Sequence, residues 1–201
     1  MRAQSFRGLL IAALTLSVSS GVVFAGPLED GQAAYDRRDY ATALQLWRPL
    51  AVQGNAVAQA NLGSMYINGE GVAQDYKEAV RWYRLAAVKG QARAQYNVGW
   101  FYANGEGVEQ DFKEAVKWYR LAAAQGHEKA QLNLGVMYQV GQGVAQDFVR
   151  AHMWFNIAAA QGNADAVRLG DTISAFMTAR QIAEAQEVAR KCKESNYKEC
   201  D

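Results

Sequence analysis

The sequence predicts an all-α fold, a solenoid of stacked helical hairpins, on three observations. The stretch NGEGVAQDYKEAVRWYRLAAVKG, Asn68 to Gly90, returns 36 residues later as NGEGVEQDFKEAVKWYRLAAAQG, Asn104 to Gly126. Within each copy the apolar residues recur at helical rather than alternating spacing. Glycine clusters interrupt each copy at the same places, where helices have to stop. An enzyme site is normally assembled once from unlike pieces, whereas a stacked array needs the same packing surface at every step.

The first 25 residues read as an export leader. Arg2 and Arg7 precede a mostly apolar run from Leu9 through Val18, and Val23-Phe24-Ala25 supplies the small-residue cleavage site. The run is broken by Thr15, Ser17, Ser19, Ser20 and Gly21 and falls short of the roughly 20 apolar residues of a spanning helix, so cleavage after Ala25 is the reading and a retained anchor is not. The expected location is periplasmic or secreted, with no integral membrane segment after cleavage. Without the leader, 19 basic residues face 20 acidic ones, a balance with no electrostatic footprint for nucleic acid or an anionic membrane.

Residues 26–57 form an abbreviated repeat, GQAAYDRRDYATALQLWRPLAVQG at its centre, in which Asp36-Arg37-Arg38 replaces the glycine-rich turn. Full repeats follow at 58–93, 94–129 and 130–165. The first two match at 23 of 36 positions without a gap. In each, a first helix carries Ala58, Leu62 and Tyr66 or their counterparts on one face and ends at Asn68-Gly69-Glu70-Gly71. Asp75 then caps a second helix, and Glu78 three residues later completes a capping box, repeated as Asp111 with Glu114; the third repeat keeps Asp147 but has Arg150 in place of the glutamate. On the second helix Tyr76, Ala79, Val80, Tyr83, Ala86 and Ala87 form the buried stripe, with Gly90 as the stop. Gly63, Gly99 and Gly135 lie inside helices, at about 1 kcal/mol each relative to alanine, which implies close approach of the neighbouring helix through its alanines, Ala79 and Ala86. The recurring Tyr66, Tyr102, Tyr138, Trp82, Trp118 and Trp154 are read as core rather than a ligand cage.

Residues 166–191 are read as capping helices: Asp165 to Ala175 and Arg180 to Lys191 form a closing pair, with Leu169, Ile173 and Phe176 inward and a Thr178–Gln181 capping box. The tail, residues 192–201, holds both cysteines, Cys192 and Cys200. In an oxidising compartment so close a pair is expected to bridge, the alternative being two free thiols.

The run AQANLGSMYINGEGVAQDYKEAVRWYRLAAVKG resembles a unit of the Sel-1-like repeat (SLR) family, relatives of the tetratricopeptide repeats. The motifs are A-Q-x-N-L-G-x-M-Y, N-G-x-G-V, D-x-x-x-A-x-x-W-Y and A-A-x-x-G, and the match covers nearly all of the chain after the leader. Departures are mild: Val98 and Phe101 in the second repeat, Val140 and Phe155 in the third, which leaves the turn geometry of the third repeat open. The resemblance implies a right-handed α/α solenoid whose first helices line a concave groove.

Positions where near-copies differ are positions the scaffold does not dictate. On the first helices these are Ala60, Tyr96 and Leu132, then Ser64, Trp100 and Val136, then Ile67, Ala103 and Gln139, offset by four and three residues and so on one stripe. Ser64, Tyr96, Trp100, Leu132, Val136 and Gln139 are the expected partner-binding residues, with Trp100 foremost because aromatic side chains are the usual interface anchors. The bland alternative is that the stripe only packs between hairpins. Asn61, Asn97 and Asn133, identical in the three repeats, are read as structural, bonding backbone between hairpins. His127 and His152 sit in no metal-spaced cluster, and no nucleophile elbow, H-E-x-x-H pair or phosphate loop occurs, so neither an enzyme nor a cofactor is expected. The function expected is a non-enzymatic scaffold of the bacterial cell envelope binding a protein or peptide. The alternatives are a cell-wall enzyme of the beta-lactamase or penicillin-binding type, as the resemblance implies for cysteine-rich relatives, and a structural spacer. Those relatives carry a cysteine pair in each repeat, and the repeats here carry none.

Overall fold

In the computed structural model, which describes residues 26–198 and residue 200, ten α-helices follow one another with no strand among the described residues. The expected leader, residues 1–25, lies outside them. The helices are α1 Pro27–Asp36, α2 Tyr40–Val52, α3 Ala56–Asn68, α4 Tyr76–Ala87, α5 Ala92–Asn104, α6 Phe112–Ala123, α7 Glu128–Val140, α8 Phe148–Ala159, α9 Ala164–Ser174 and α10 Ala179–Glu194. Each helix from α1 to α8 packs on its successor, so the hairpins α1–α2, α3–α4, α5–α6 and α7–α8 stack in chain order. The closing segment departs from the expected pair: α9 and α10 both pack on α8, not chiefly on each other. Phe176, expected inward, is 74% exposed, because α9 ends at Ser174 and leaves it in the turn; Leu169 is half-buried and Ile173 buried.

The helix ends follow from the sequence. Gly69, Gly105 and Gly141 take φ of 70°, 72° and 73°, the left-handed stop, and Asp75, Asp111 and Asp147 cap the second helices. The turn of the third repeat is the same as the others despite Val140: Gly141 and Gly143 keep the positive φ and Gln146 Nε2 donates to Gln139 O at 2.8 Å, as Gln110 does to Ala103 O. The capping boxes at Asp75 and Asp111 are only half made. Both aspartates accept from the first-turn amides, but Glu78 pairs with Arg81 at 2.8 Å and Glu114 with Lys117, three residues on, instead of reaching back. At Thr178 the box with Gln181 is complete.

The helical glycines face aromatic rings first, and Gly99 also meets the backbone of Ala115, the counterpart of the expected Ala79. A Cβ on Gly63 would lie 2.7 Å from the Tyr83 ring, on Gly99 2.7 Å from Tyr119 and 3.2 Å from the Ala115 carbonyl, and on Gly135 2.5 Å from Phe155. The second glycine of each turn has a further purpose: Gly107 and Gly143 lie against the backbone that begins the previous hairpin's second helix, at Tyr76 and Phe112. Trp82, Trp154 and Tyr138 are buried and Trp118, Tyr66 and Tyr102 half-buried in the core, as a core reading requires.

The backbone bonds between hairpins expected of the asparagines are made by buried glutamines. Gln59, Gln95 and Gln131 are 3%, 4% and 0% exposed, and their Nε2 groups donate to Ala51 O, Ala87 O and Ala123 O at the end of the preceding second helix. Each of those carbonyls also accepts from the glycine amide three residues on, Gly54, Gly90 or Gly126, so the glutamine occupies its second acceptor position, satisfies its own buried amide and fastens two hairpins together. Gln125 and Gln161 complete the second and third clasps by donating to Gln95 Oε1 at 2.7 Å and Gln131 Oε1 at 2.6 Å. The corresponding residue of the first clasp is Lys89, which reaches Gly54 O instead, and Gln59 Oε1 is buried without a partner. Lys89→Gln is therefore expected to stabilise the protein by about 1 kcal/mol, a rise of roughly 2–4 °C in Tm by calorimetry, since a buried acceptor gains its donor. An unchanged or lower Tm would show that the clasp is already satisfied.

The tail is bridged: Cys192 and Cys200 form a disulfide and are both buried. The loop it closes returns to the array, where Tyr197 lies beside Gly126.

Candidate functional site

The first-helix stripe is partly buried along its whole length. Ala60, its first member, is fully buried and unavailable to any partner. Ser64, Ile67, Tyr96, Trp100, Ala103, Leu132, Val136 and Gln139 are all half-buried, each leaving part of its side chain at the surface of α3, α5 or α7. Tyr96, Ala103, Leu132 and Val136 rest on the core around α6–α8, whereas Ile67 and Trp100 rest on the core around α4 and α5. Trp100 meets Phe101 edge to face, with ring centroids 5.3 Å apart, so its inner edge is fixed while its outer face is open. Gln139 is tied by its backbone carbonyl to Gln146, which leaves its side-chain amide out of that bond.

Tyr96 is the most supported member. Its ring stacks on His127, centroids 4.7 Å apart and planes 19° apart, and leans on Tyr119 at 5.9 Å. Burial pushes its hydroxyl up from the ordinary tyrosine value, opposed by a hydrogen bond with Asn133; the Tyr119 hydroxyl is raised for the same reason and also meets Asn133. Asn133 of α7, expected to bond backbone between hairpins, instead meets tyrosine hydroxyls of the preceding hairpin. Asn97 Nδ2 donates to Arg93 O of its own helix at 2.8 Å.

Beside Tyr96 lies a cleft of about 380 Å³ lined by Arg93, Tyr96, Asn97, His127, Glu128 and Lys129. Of these only Tyr96 was legible as a site residue. His127, read from the sequence as belonging to no metal-spaced cluster, is the N-cap of α7, with its Nδ1 accepting from Ala130 N–H at 3.3 Å. The signal lay in the register: residues 36 apart, Asn55, Gln91 and Asn163, cap α3, α5 and α9 in the same way. Burial, first, and then the charge of Lys129 hold the His127 pKa below its ordinary value, so the ring is neutral at pH 7.

The exposed side of the second helices is different in character. Along the outer side of α4 and α6 run Lys77, Arg81 and Arg84, then Lys113 and Lys117, mostly exposed and repeated almost unchanged between units. Among the described residues no three of His, Cys, Asp and Glu gather into a metal-holding group, and no helix is long and apolar enough to cross a membrane.

The comparisons with known proteins agree with this architecture. The family model for the Sel1 repeat matches residues 56–90, 92–127 and 128–163, just over half of the chain, each starting two residues ahead of the repeat read from the sequence. The chain is similar to a Sel1 repeat protein from Oxalobacter formigenes, with 35% identity and TM-score 0.67 over 71% of this chain and 57% of that one. It is also similar to a protective antigen present in uropathogenic Escherichia coli strains displaying an SLR fold, with 40% identity and TM-score 0.73 over 84% of this chain and 38% of that one. The chain thus spans little more than half the length of the first of these solved chains and less than half of the second. A comparison with curated proteins finds no match.

Proposed function

The chain belongs to the Sel1 repeat family, whose repeats generally serve as protein-interaction scaffolds, and from that premise we propose that it holds a protein or peptide partner in the bacterial cell envelope. The contact surface is the first-helix stripe of Ser64, Tyr96, Trp100, Leu132, Val136 and Gln139. The observation that carries this reading is the contrast between faces. Units that match at 23 of 36 positions diverge on the first-helix stripe, where half-exposed aromatic and aliphatic residues stand, and repeat themselves on the charged outer face. Tyr96 and Trp100, one helical turn apart, each backed by an aromatic partner, are held in one orientation before binding, which lowers the ordering entropy an anchor loses on association. The export-type leader motif and the Cys192–Cys200 bridge support an oxidising compartment outside the cytosol. No feature of the site favours the cell-wall enzyme: the repeats have no cysteine, and the two cysteines present are bonded to each other.

The test is crosslinking capture from the envelope fraction of the source cell by the wild type and by a Tyr96→Ala, Trp100→Ala double variant. Two anchors worth about 2 kcal/mol each predict a loss of capture of 100-fold or more, with helicity retained and a drop in stability of roughly 1–3 kcal/mol from the packing they share with Phe101 and Tyr119. Equal capture by a folded variant would remove the partner from this stripe.

A further inference from the structure

We propose that His127 is a positioning residue for Tyr96 that responds to protons: its neutral ring both caps α7 and holds the Tyr96 ring in place, and its protonated form does neither. The inference rests on the reading of Tyr96 as a partner-binding anchor and adds a regulation of that site.

Four equivalent residues cap first helices at intervals of 36: Asn55 to Ala58 N–H at 2.9 Å, Gln91 to Ala94 at 2.6 Å, His127 to Ala130 at 3.3 Å, and Asn163 to Ala166 at 2.8 Å. Three are amides, which do not titrate near neutral pH. Only His127 can gain a proton, and only His127 has a ring stacked on the stripe. Accepting from Ala130 requires the lone pair on Nδ1, so the neutral ring carries its hydrogen on Nε2. An incoming proton has that Nδ1 lone pair as its one place to bind. Donor then faces donor, the Ala130 amide loses its side-chain cap and keeps only its bond to the His127 carbonyl oxygen at 3.0 Å, and a cation stands at the positive end of the α7 dipole.

The surrounding charges reinforce this. Arg93 and Tyr96 face the ring from α5 and Lys129 and Glu128 from α7, with Tyr119 of α6 behind Tyr96. The cations Arg93 and Lys129 repel an imidazolium, and burial adds to them. Glu128 opposes, but its carboxylate already accepts from Asn163 Nδ2. A protonated His127 therefore relaxes by turning away from Ala130 and off the face of Tyr96, which keeps Tyr119 on one side and loses its wall on the other. Since the folded-state pKa lies below the ordinary value of about 6.5, the contribution of His127 to stability is complete above that pH and is lost as pH falls through the folded value.

The experiment is an NMR titration of the protein from pH 8 to 5, following the His127 ring, the Tyr96 ring and the Ala130 amide. His152, whose Nδ1 pairs with Asn156 Nδ2 on α8, serves as the second histidine signal. The expected result is a common midpoint for the three signals, below 6.5, and a loss of about fivefold in hydrogen-exchange protection of Ala130 across it, the size of one lost cap. His127→Asn, which installs the cap used by α3 and α9, should keep the fold and abolish the midpoint in Tyr96 and Ala130. If Tyr96 and Ala130 ignore the titration of His127, or titrate identically in His127→Asn, the proposal is wrong. Because no partner is present, that failure would leave the partner-binding reading standing, whereas loss of the capture result would leave this titration unchanged.

Discussion

Gly143→Ala is expected to destabilise the protein by about 3–5 kcal/mol, while Gly162→Ala costs about 1 kcal/mol, although both residues have left-handed backbones. Gly143 has φ of 73° and Gly162 of 96°. The difference lies in what a methyl group would meet. At Gly162 nothing stands within 4 Å, so only backbone strain is added, whereas at Gly143 the new Cβ would lie 2.2 Å from the Phe112 carbonyl oxygen. That oxygen is part of the first turn of α6 and cannot move without shifting the helix, so the hairpin α7–α8 would have to separate from α5–α6. Thermal or denaturant unfolding of the two variants measures the difference directly. Equal destabilisation would mean that backbone conformation alone explains the second glycine and that hairpins are not in backbone contact there.

Gly99→Leu is the second large effect, with an expected loss of about 3 kcal/mol or more and a Tm lower by roughly 6–12 °C. Leucine should otherwise favour the helix, by about 1 kcal/mol over glycine, so any destabilisation comes from packing. The Cβ alone would lie 2.7 Å from the Tyr119 ring and 3.2 Å from the Ala115 carbonyl. Tyr119 is fully buried and backs Tyr96, so it has no free direction in which to retreat. Gly99→Ala asks less of the ring and gains the same propensity, and is expected to fall between the wild type and Gly99→Leu. Normal melting of Gly99→Leu would refute close packing of α5 on α6.

These two glycines also mark what the sequence could and could not convey. Repetition at 36 residues, helical spacing and the glycine stops were sufficient for the hairpins and their order, because each follows from local chemistry that is written several times over. That Gly99 had to face something close, the alanine backbone included, was legible; that the nearest neighbour is the Tyr119 ring was not, since it depends on the rotation of one helix against another. Gly143 looked like part of a helix stop, and its contact with Phe112 arises only when a second hairpin is laid on the first. Glu78 had the spacing for a capping box, but Arg81 one turn further offered a full charge, and the ion pair prevailed. The buried glutamines were present in the A-Q-x-N motif, and a polar residue fixed at one point of an apolar face was the available sign that a backbone carbonyl waits nearby.

The site was legible in part for the same reason. Divergence between near-copies located the stripe, yet it could not separate the fully buried Ala60 from the half-exposed Ser64 four residues on. His127 was legible only as a cap in register with Asn55, Gln91 and Asn163; its stack on Tyr96 joins two hairpins and has no trace in either one. Phe176 shows the converse limit, since an apolar residue at helical spacing carries no burial once the helix has ended before it.

The central claim is that partners bind the first helices and not the second. Site-specific photocrosslinking tests it most directly, with a photoreactive amino acid placed at Ser64, Val136 or Gln139 on the first-helix stripe and, in parallel, at Lys77 or Lys113 on the outer face of α4 and α6. Irradiation of the source cells should give the same adduct from the first three positions and none from the two lysine positions. Adducts from Lys77 and Lys113, with none from the stripe, would contradict the account and move the interaction surface to the charged face of the second helices.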